Sequence, residues 1–282
     1  MEKITLLARD GYTLAGFWAV PIGDFRGTTV ISPATGVPKE FYNHFAQYLV
    51  NQGYRVLCFD YRGIGGSAPK ELKNFHATMH DWGLLDMNAA LDFVVTEKQT
   101  KKVIWIGHSV GAQMHGMLDK RDSISKVIAI SSSIGYWNYF FFPYNIYVLL
   151  LWKIVGPLMI MGKGYAPMKK IGWGEDIPKG VFYEWREWCM NKQHFKPFLQ
   201  ERFGINSFAD FKQPMIAIHP SDDYIANTKT VAALLRFFPN AEKKTILIRP
   251  SDLGVKKIGH MGIFRRRFQN NIWPLILAEI EK

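Results

Sequence analysis

Hydrophobic and polar positions repeat at two periods along the chain. Near the start, Ile4-Thr5-Leu6-Leu7 and Tyr12-Thr13-Leu14-Ala15-Gly16-Phe17-Trp18 flank Asp10-Gly11, the signature of a tight turn between paired strands. Thr28-Thr29-Val30-Ile31 reads as a short strand that runs out at Ser32-Pro33-Ala34-Thr35-Gly36. Phe41, Phe45, Tyr48 and Leu49 then recur at helical spacing, with Gly53 as the stop. Tyr54–Phe59 is almost continuously apolar, as a strand buried on both faces requires. Residues 82–95 carry a helical stripe of Leu85, Ala89 and Phe93, 102–106 read as a strand, 110–118 as a helix and 126–130 as another strand. This alternation predicts an α/β fold built on a parallel sheet.

The alternation stops near Gly135 and resumes at Pro214 with a strand over 215–218, a helix over 228–238 and a strand over 244–248. A closing helix over 264–280 is expected to kink at Pro274. The expected organisation is a core of residues 1–134 and 205–282, interrupted after the sixth strand by a mainly helical cap, 135–204. Residues 127–152 carry no charge over 26 positions, long enough to cross a bilayer. Ser131-Ser132-Ser133, Gly135, Asn138, Pro143 and Asn145 argue against a span, and the first third reads as a buried strand.

Composition adds three constraints. With 48% hydrophobic and 21% charged residues among 282, the chain has ample material for a core and is not a disordered segment. Its net charge of +11 permits an anionic partner without naming one. Two cysteines, Cys58 and Cys189, exclude a disulfide scaffold and suit a reducing compartment. Glu2, Arg9 and Asp10 interrupt any apolar leader in the first 20 residues, so a cytoplasmic location is expected.

The strongest chemical signal is Gly107-His108-Ser109-Val110-Gly111, set between the strand Val103-Ile104-Trp105-Ile106 and the helix expected at Val110. A strand–turn–helix setting is what a nucleophile elbow needs, and glycines let strand and helix approach closely around the serine. A plain tight turn with a surface serine is the competing interpretation. A serine hydroxyl needs a base to take its proton and a third group to orient that base. Asp223 follows the strand at 215–218, and His260 lies in the loop after the strand at 244–248. The order Ser109, Asp223, His260 is the order of an α/β-hydrolase triad.

On these residues the chain resembles an α/β-hydrolase of the serine aminopeptidase/monoacylglycerol-lipase type, close to a group of predicted bacterial hydrolases. The resemblance extends to Arg9-Asp10-Gly11-Tyr12-Thr13-Leu14-Ala15-Gly16, and to Asp60-Tyr61-Arg62-Gly63-Ile64-Gly65-Gly66-Ser67, which is similar to the family's Asp-x-Arg-Gly-x-Gly-x-Ser. Tyr183-Glu184-Trp185-Arg186-Glu187-Trp188 also resembles that predicted group. The resemblance implies an α/β-hydrolase fold, with a mostly parallel central sheet flanked by helices. It also implies an oxyanion hole made by backbone N–H groups. Pro33-Ala34-Thr35-Gly36 stands where the family usually carries His-Gly, which puts Thr35 at the first donor, with Ala34 the next choice, and Val110 at the second. The family's acid motif fits Asp223-Tyr224-Ile225-Ala226 with Asn227 in place of proline; Asp222, one position away, is the alternative acid.

Other patterns lead elsewhere or nowhere. Gly63-Ile64-Gly65-Gly66-Ser67-Ala68 mimics a dinucleotide fingerprint, but Pro69-Lys70-Glu71 follows instead of a helix. His76 and His80 have helical spacing but lack a third ligand, so neither a metal nor a cofactor is expected. His108, His115, His194 and His219 have no assigned chemistry. Lys256, Lys257, Arg265, Arg266 and Arg267 bracket His260 and read first as a solvated face, with attraction of an anionic substrate or a membrane as the sharper version. Nine aromatics in 136–152 suit either packing of the cap, an apolar pocket or contact with a bilayer. The expected activity is cofactor-independent hydrolysis of carboxylic esters with an apolar acyl or aryl part, through an acyl-enzyme on Ser109. Amide or peptide cleavage, and an idle hydrolase fold used as a binding module, are the alternatives. The expected partner is a small-molecule ester, without nucleic acid; peripheral contact with the inner face of the membrane is compatible, and the oligomeric state stays open.

Overall fold

The computed structural model describes residues 1–205 and 207–282. The strands are β1 (Glu2–Leu7), β2 (Thr13–Ala19), β3 (Gly27–Ser32), β4 (Tyr54–Phe59), β5 (Val103–His108), β6 (Ile124–Ile130), β7 (Tyr165–Ala166), β8 (Ile177–Pro178), β9 (Met215–Pro220) and β10 (Lys243–Ile248). Eight of them form one sheet in the order β1-β2-β4-β3-β5-β6-β9-β10. The β1–β2 hairpin joins antiparallel to β4, and every neighbouring pair from β4 to β10 runs parallel. This is the mostly parallel sheet of an α/β-hydrolase.

Side-chain alternation along the central strands splits the interior into two layers. Val103 and Trp105 of β5 join Val30, Leu57 and Trp82 on one face. Ile104 and Ile106 join Ile31, Ile128, Phe45 and Trp273 on the other. Both faces are dry, so the parallel strands read as unbroken apolar runs. The parallel arrangement also brings the loops after β3, β5, β6, β9 and β10 to one edge of the sheet, where sites of open α/β sheets form.

Two expected helices differ. The closing helix is Ile272–Glu281, capped by Asn271 Oδ1, which accepts the Ile272 N–H at 2.7 Å. Pro274 therefore falls in the first turn, where a backbone donor is not needed, and produces no kink. The helix expected over 110–118 is two short 3₁₀ turns, Ser109–Ala112 and His115–Met117. The Trp105 indole N–H donates to the Gly111 carbonyl at 2.8 Å, using the acceptor that an α-helix would offer to His115, and Gly111 and Gly116 weaken the helix further.

The segment between β6 and β9 holds the helices Tyr144–Lys163, Lys179–Met190 and Lys196–Phe203 and the small β7–β8 ribbon. Trp152 packs against Phe182 and Trp185, with ring centroids 5.1 and 4.8 Å apart. Gly156 lies flush on the Phe182 ring, where a Cβ has no room.

Candidate active site

β5 delivers Ser109 onto a turn with φ of 53°, a left-handed conformation that a non-glycine residue adopts at a cost of about 1–3 kcal/mol. The flanking glycines make that turn feasible. A Cβ on Gly107 would collide with the backbone of Gly111 and Ala112, and one on Gly111 with the Ser32 carbonyl of β3. Ser132, after β6, donates its hydroxyl to the Ser109 carbonyl at 2.6 Å and ties the turn to the next strand.

The loop after β9 separates the two aspartates cleanly. Asp223 Oδ1 accepts the Ile225 and Ala226 N–H groups, each at 2.9 Å, and Oδ2 meets His260 Nδ1 at 2.8 Å. Burial pushes this carboxyl up, but the His260 charge and hydrogen bond and the two N–H groups outweigh it and hold the pKa below its ordinary value. Asp222 turns the other way. Its oxygens accept the Ile258 N–H at 2.9 Å and the Gly259 N–H at 3.1 Å, so it grips the backbone just ahead of His260 and does not reach the imidazole. Asn227, standing where the family has proline, caps the helix Thr228–Leu235 by accepting from Lys229 and Thr230 at 2.9 and 3.1 Å.

Ser109, His260 and Thr35 face one cavity of about 450 Å³, walled by Tyr144, Trp173 and Trp185 from the insert. A tight inner branch of about 40 Å³ runs from Ser109 towards Phe140, Val148 and Trp152. Among the described residues no hydrogen bond joins the Ser109 hydroxyl to His260; such contacts tighten when substrate is bound. Of the two backbone donors proposed by resemblance on the β3 loop, the Ala34 N–H is taken by the Tyr42 hydroxyl at 2.9 Å. Thr35 lines the cavity, and among the described residues its N–H has no acceptor. Val110 is the second residue of the 3₁₀ turn Ser109–Ala112, so its N–H lies among the first donors of a helix, which have no partner within it.

A buried chain of hydrogen bonds links these loops. Because the His260 carbonyl can only accept, His108 Nε2 donates to it at 3.0 Å, which leaves Nδ1 of the neutral ring to accept from the Tyr42 hydroxyl at 2.8 Å, while that hydroxyl accepts from the Ala34 N–H. Burial, with the neighbouring His260 charge, pushes His108 down to about 3, so it is neutral and fixed in one tautomer. Nothing in the sequence pattern marks Tyr42 for this task.

The site geometry and the fold meet in the comparison with known proteins. A model of the serine aminopeptidase S33 family matches residues 24–165, half of the chain. The chain belongs to that family of α/β-hydrolases. Among solved structures, this S33-family chain is similar to a soluble variant of monoglyceride lipase from Saccharomyces cerevisiae solved with a substrate analog. That match has 18% identity and a TM-score of 0.65, over 98% of this chain and 94% of the other. It is also similar to α/β-hydrolase domain-containing protein 10 from mouse, at 15% identity and a TM-score of 0.62, over 100% and 99%. A Pyrococcus furiosus esterase matches at 18% identity and a TM-score of 0.59, over 99% and 90%. No curated protein sequence matches significantly.

The remaining sequence signals have structural roles. Asp60 accepts from both the backbone and the ammonium of Lys39, at 2.6 and 2.7 Å, while Arg62 joins Asp86 at 2.7 Å and Asp10 at 2.6 Å. With the glycine-rich run that follows, these residues form a knot that ties the edge hairpin β1–β2 to the end of β4: Arg62 holds Asp10, and Ser67 Oγ accepts the Ala15 N–H at 2.8 Å. His80 pairs with Glu184 of the insert at 2.7 Å, and His76 is exposed. Among the described residues no group of three or more His, Cys, Asp or Glu side chains converges as a metal site. Of the basic cluster, Arg265 reaches the cavity wall.

Proposed function

We propose that this S33-family hydrolase cleaves carboxylic esters whose acyl or aryl part is apolar. Ser109 attacks the ester carbonyl while His260 takes its proton, and Asp223 holds the Nδ1–H and stabilises the imidazolium that forms. The tetrahedral oxyanion is met by the N–H groups of Thr35 and Val110, each such donor being worth about 10²–10³ in rate. Collapse expels the alcohol, protonated by His260, and leaves an acyl-enzyme on Ser109. Water, activated by the same imidazole, then releases the acid.

The observation that carries this reading is the Asp223–His260 pair opening, beside a strained Ser109, onto an aromatic-walled cavity. Esters are favoured over aminoacyl amides by the charge of that cavity. Among its described lining residues there is no Asp or Glu to hold a substrate α-ammonium, and Arg265 would repel one. The test is a fluorophosphonate probe together with p-nitrophenyl butyrate and an alanyl anilide. Labelling of the wild type but not of Ser109→Ala, with turnover of the ester alone, is the expected result. Turnover of the anilide alone would transfer the assignment to amide cleavage. A well-folded protein that neither labels nor turns over would be a binding module.

A further inference from the structure

The helix Tyr144–Lys163 is unusual in being apolar on both sides. Its inner stripe, Val148, Trp152, Gly156 and Ile160, is buried against the insert and helps to wall the cavity. Its outer stripe should be polar in a helix that faces only water. Instead it carries Tyr147, Leu150, Ile154, Leu158 and Met161, at spacings of three and four residues, with Ile146 beside them, and all are exposed. Met161 is 80% exposed, Leu158 59% and Ile154 51%, and Phe141 and Phe142 extend the patch ahead of the helix. At 1.5 Å per residue its 20 residues draw an apolar band about 30 Å long, well beyond the scattered exposure normal for a monomer's surface.

Charge along this segment has one sign. From Ser123 to Gly174 the chain contains no Asp or Glu, while Lys153, Lys163 and Lys170 punctuate or follow the helix and are exposed; Lys169, also exposed, is paired with Glu175 at 2.7 Å. A long apolar face with a cation in its middle and cations beyond its end matches a bilayer with anionic headgroups, where side chains sink among acyl chains and ammonium groups snorkel to phosphate. It matches a second copy of the same face poorly, because Lys153 on each helix would oppose a surface that has no carboxylate to receive it. The helix does not cross the bilayer: its inner stripe is occupied by the protein's own aromatic residues. We propose that the outer face of Tyr144–Lys163 docks the protein in-plane on an anionic lipid surface. This inference goes beyond the ester assignment and does not depend on it.

The experiment is flotation of the full chain with vesicles of phosphatidylcholine alone and of equimolar phosphatidylcholine and phosphatidylglycerol. Wild type should float with the anionic vesicles and much less with the neutral ones. Ile154→Glu with Leu158→Glu should reduce that partition about 100-fold, as loss of two bilayer-buried side chains requires, and Lys153→Glu should reduce it several-fold. Ile22→Glu, at a fully exposed apolar residue far along the chain from this helix, is the control and should bind as wild type. Circular dichroism and turnover of soluble p-nitrophenyl butyrate keep misfolding apart from lost docking, and both should be unchanged in the double variant. Wild type that stays with the soluble fraction, or a double variant that floats as well as wild type, overturns the proposal. If wild type instead dimerises in vesicle-free solution and the double variant is monomeric, the face is a self-association surface and the lipid assignment fails. An ester-inactive protein that still floats would reject the catalytic assignment and leave this one standing.

Discussion

Replacing each of two adjacent carboxylates by its amide tests the proposed mechanism most sharply, because the structure gives them different hydrogen-bond partners. In Asp223→Asn the two N–H groups of Ile225 and Ala226 still demand an oxygen at the Oδ1 place. The new amide NH₂ must therefore face His260 Nδ1 where Oδ2 now sits at 2.8 Å. An NH₂ there donates, so Nδ1 must lose its proton and Nε2 must keep one. His260 then cannot accept a proton from Ser109. Turnover should fall about 10³–10⁴-fold with KM little changed. In Asp222→Asn an amide oxygen at the Oδ2 place keeps the Ile258 N–H bond and a weaker one to Gly259 at 3.2 Å. The loss is one charge and one backbone partner of the His260 turn, worth about 1–3 kcal/mol of local stability, and turnover should fall about tenfold or less. Initial rates on p-nitrophenyl butyrate and cooperative thermal melts of both variants are sufficient. An inactive Asp222→Asn beside a nearly normal Asp223→Asn would refute this register of the loop. If both variants stayed active while Ser109→Ala died, the acid would lie elsewhere.

The same geometry makes three further predictions. Tyr42→Phe leaves the buried Ala34 N–H and His108 Nδ1 without partners, so it should cost about 2–4 kcal/mol of stability in urea unfolding and about tenfold in kcat, KM staying within twofold; an unchanged melt and rate would show that the chain of hydrogen bonds is idle. Gly111→Ala drives a Cβ into the Ser32 carbonyl and should yield little soluble protein, whereas Gly162→Ala, with open space around it, should express and melt as wild type. Asp223 is held below its ordinary carboxylate value, so its contribution to stability is complete above about pH 4 and disappears as the pH falls through its lower folded value; the melting-temperature gap between wild type and Asp223→Asn should narrow on acidification, and a widening gap would contradict the assigned direction.

Much of this architecture is legible in the amino-acid pattern, for a definite reason. Parallel strands buried on both faces must be apolar throughout, so residues 54–59 and 103–106 announce themselves, and sites of such sheets lie where those strands end. Ser109 and Asp223 stand out because each follows such a run; His260 lies further on, in the loop after the mostly exposed edge strand β10. What the pattern leaves ambiguous is decided by single side chains acting across the fold. Asp222 and Asp223 differ by one position, and only the N–H groups they meet tell them apart. After Ser109 the chain makes two short 3₁₀ turns in place of a helix, and the Trp105 indole holds the Gly111 carbonyl there, a contact that no periodicity encodes. Tyr42 sits on an ordinary amphipathic segment, and its hydroxyl matters only because His108 ends the facing strand.

These local contacts together hold the His260 turn from both directions. Asp222 takes the N–H groups of Ile258 and Gly259 from one side, and His108 takes the His260 carbonyl from the other. The backbone of the turn is fixed independently of the imidazole, whose orientation is left to Asp223. Losing one backbone tether leaves the second in place, so those substitutions should erode activity by degrees, while the Asp223 bond has no substitute. The β3 loop is clamped in the same manner, by Tyr42 at the Ala34 N–H and by the insert, where the Glu175 N–H donates to the Gly36 carbonyl at 2.6 Å. Among the described residues the N–H of Thr35, between those two clamps, has no acceptor. A backbone donor needs no particular side chain at position 35, so the proposed oxyanion hole does not require the family's usual His-Gly.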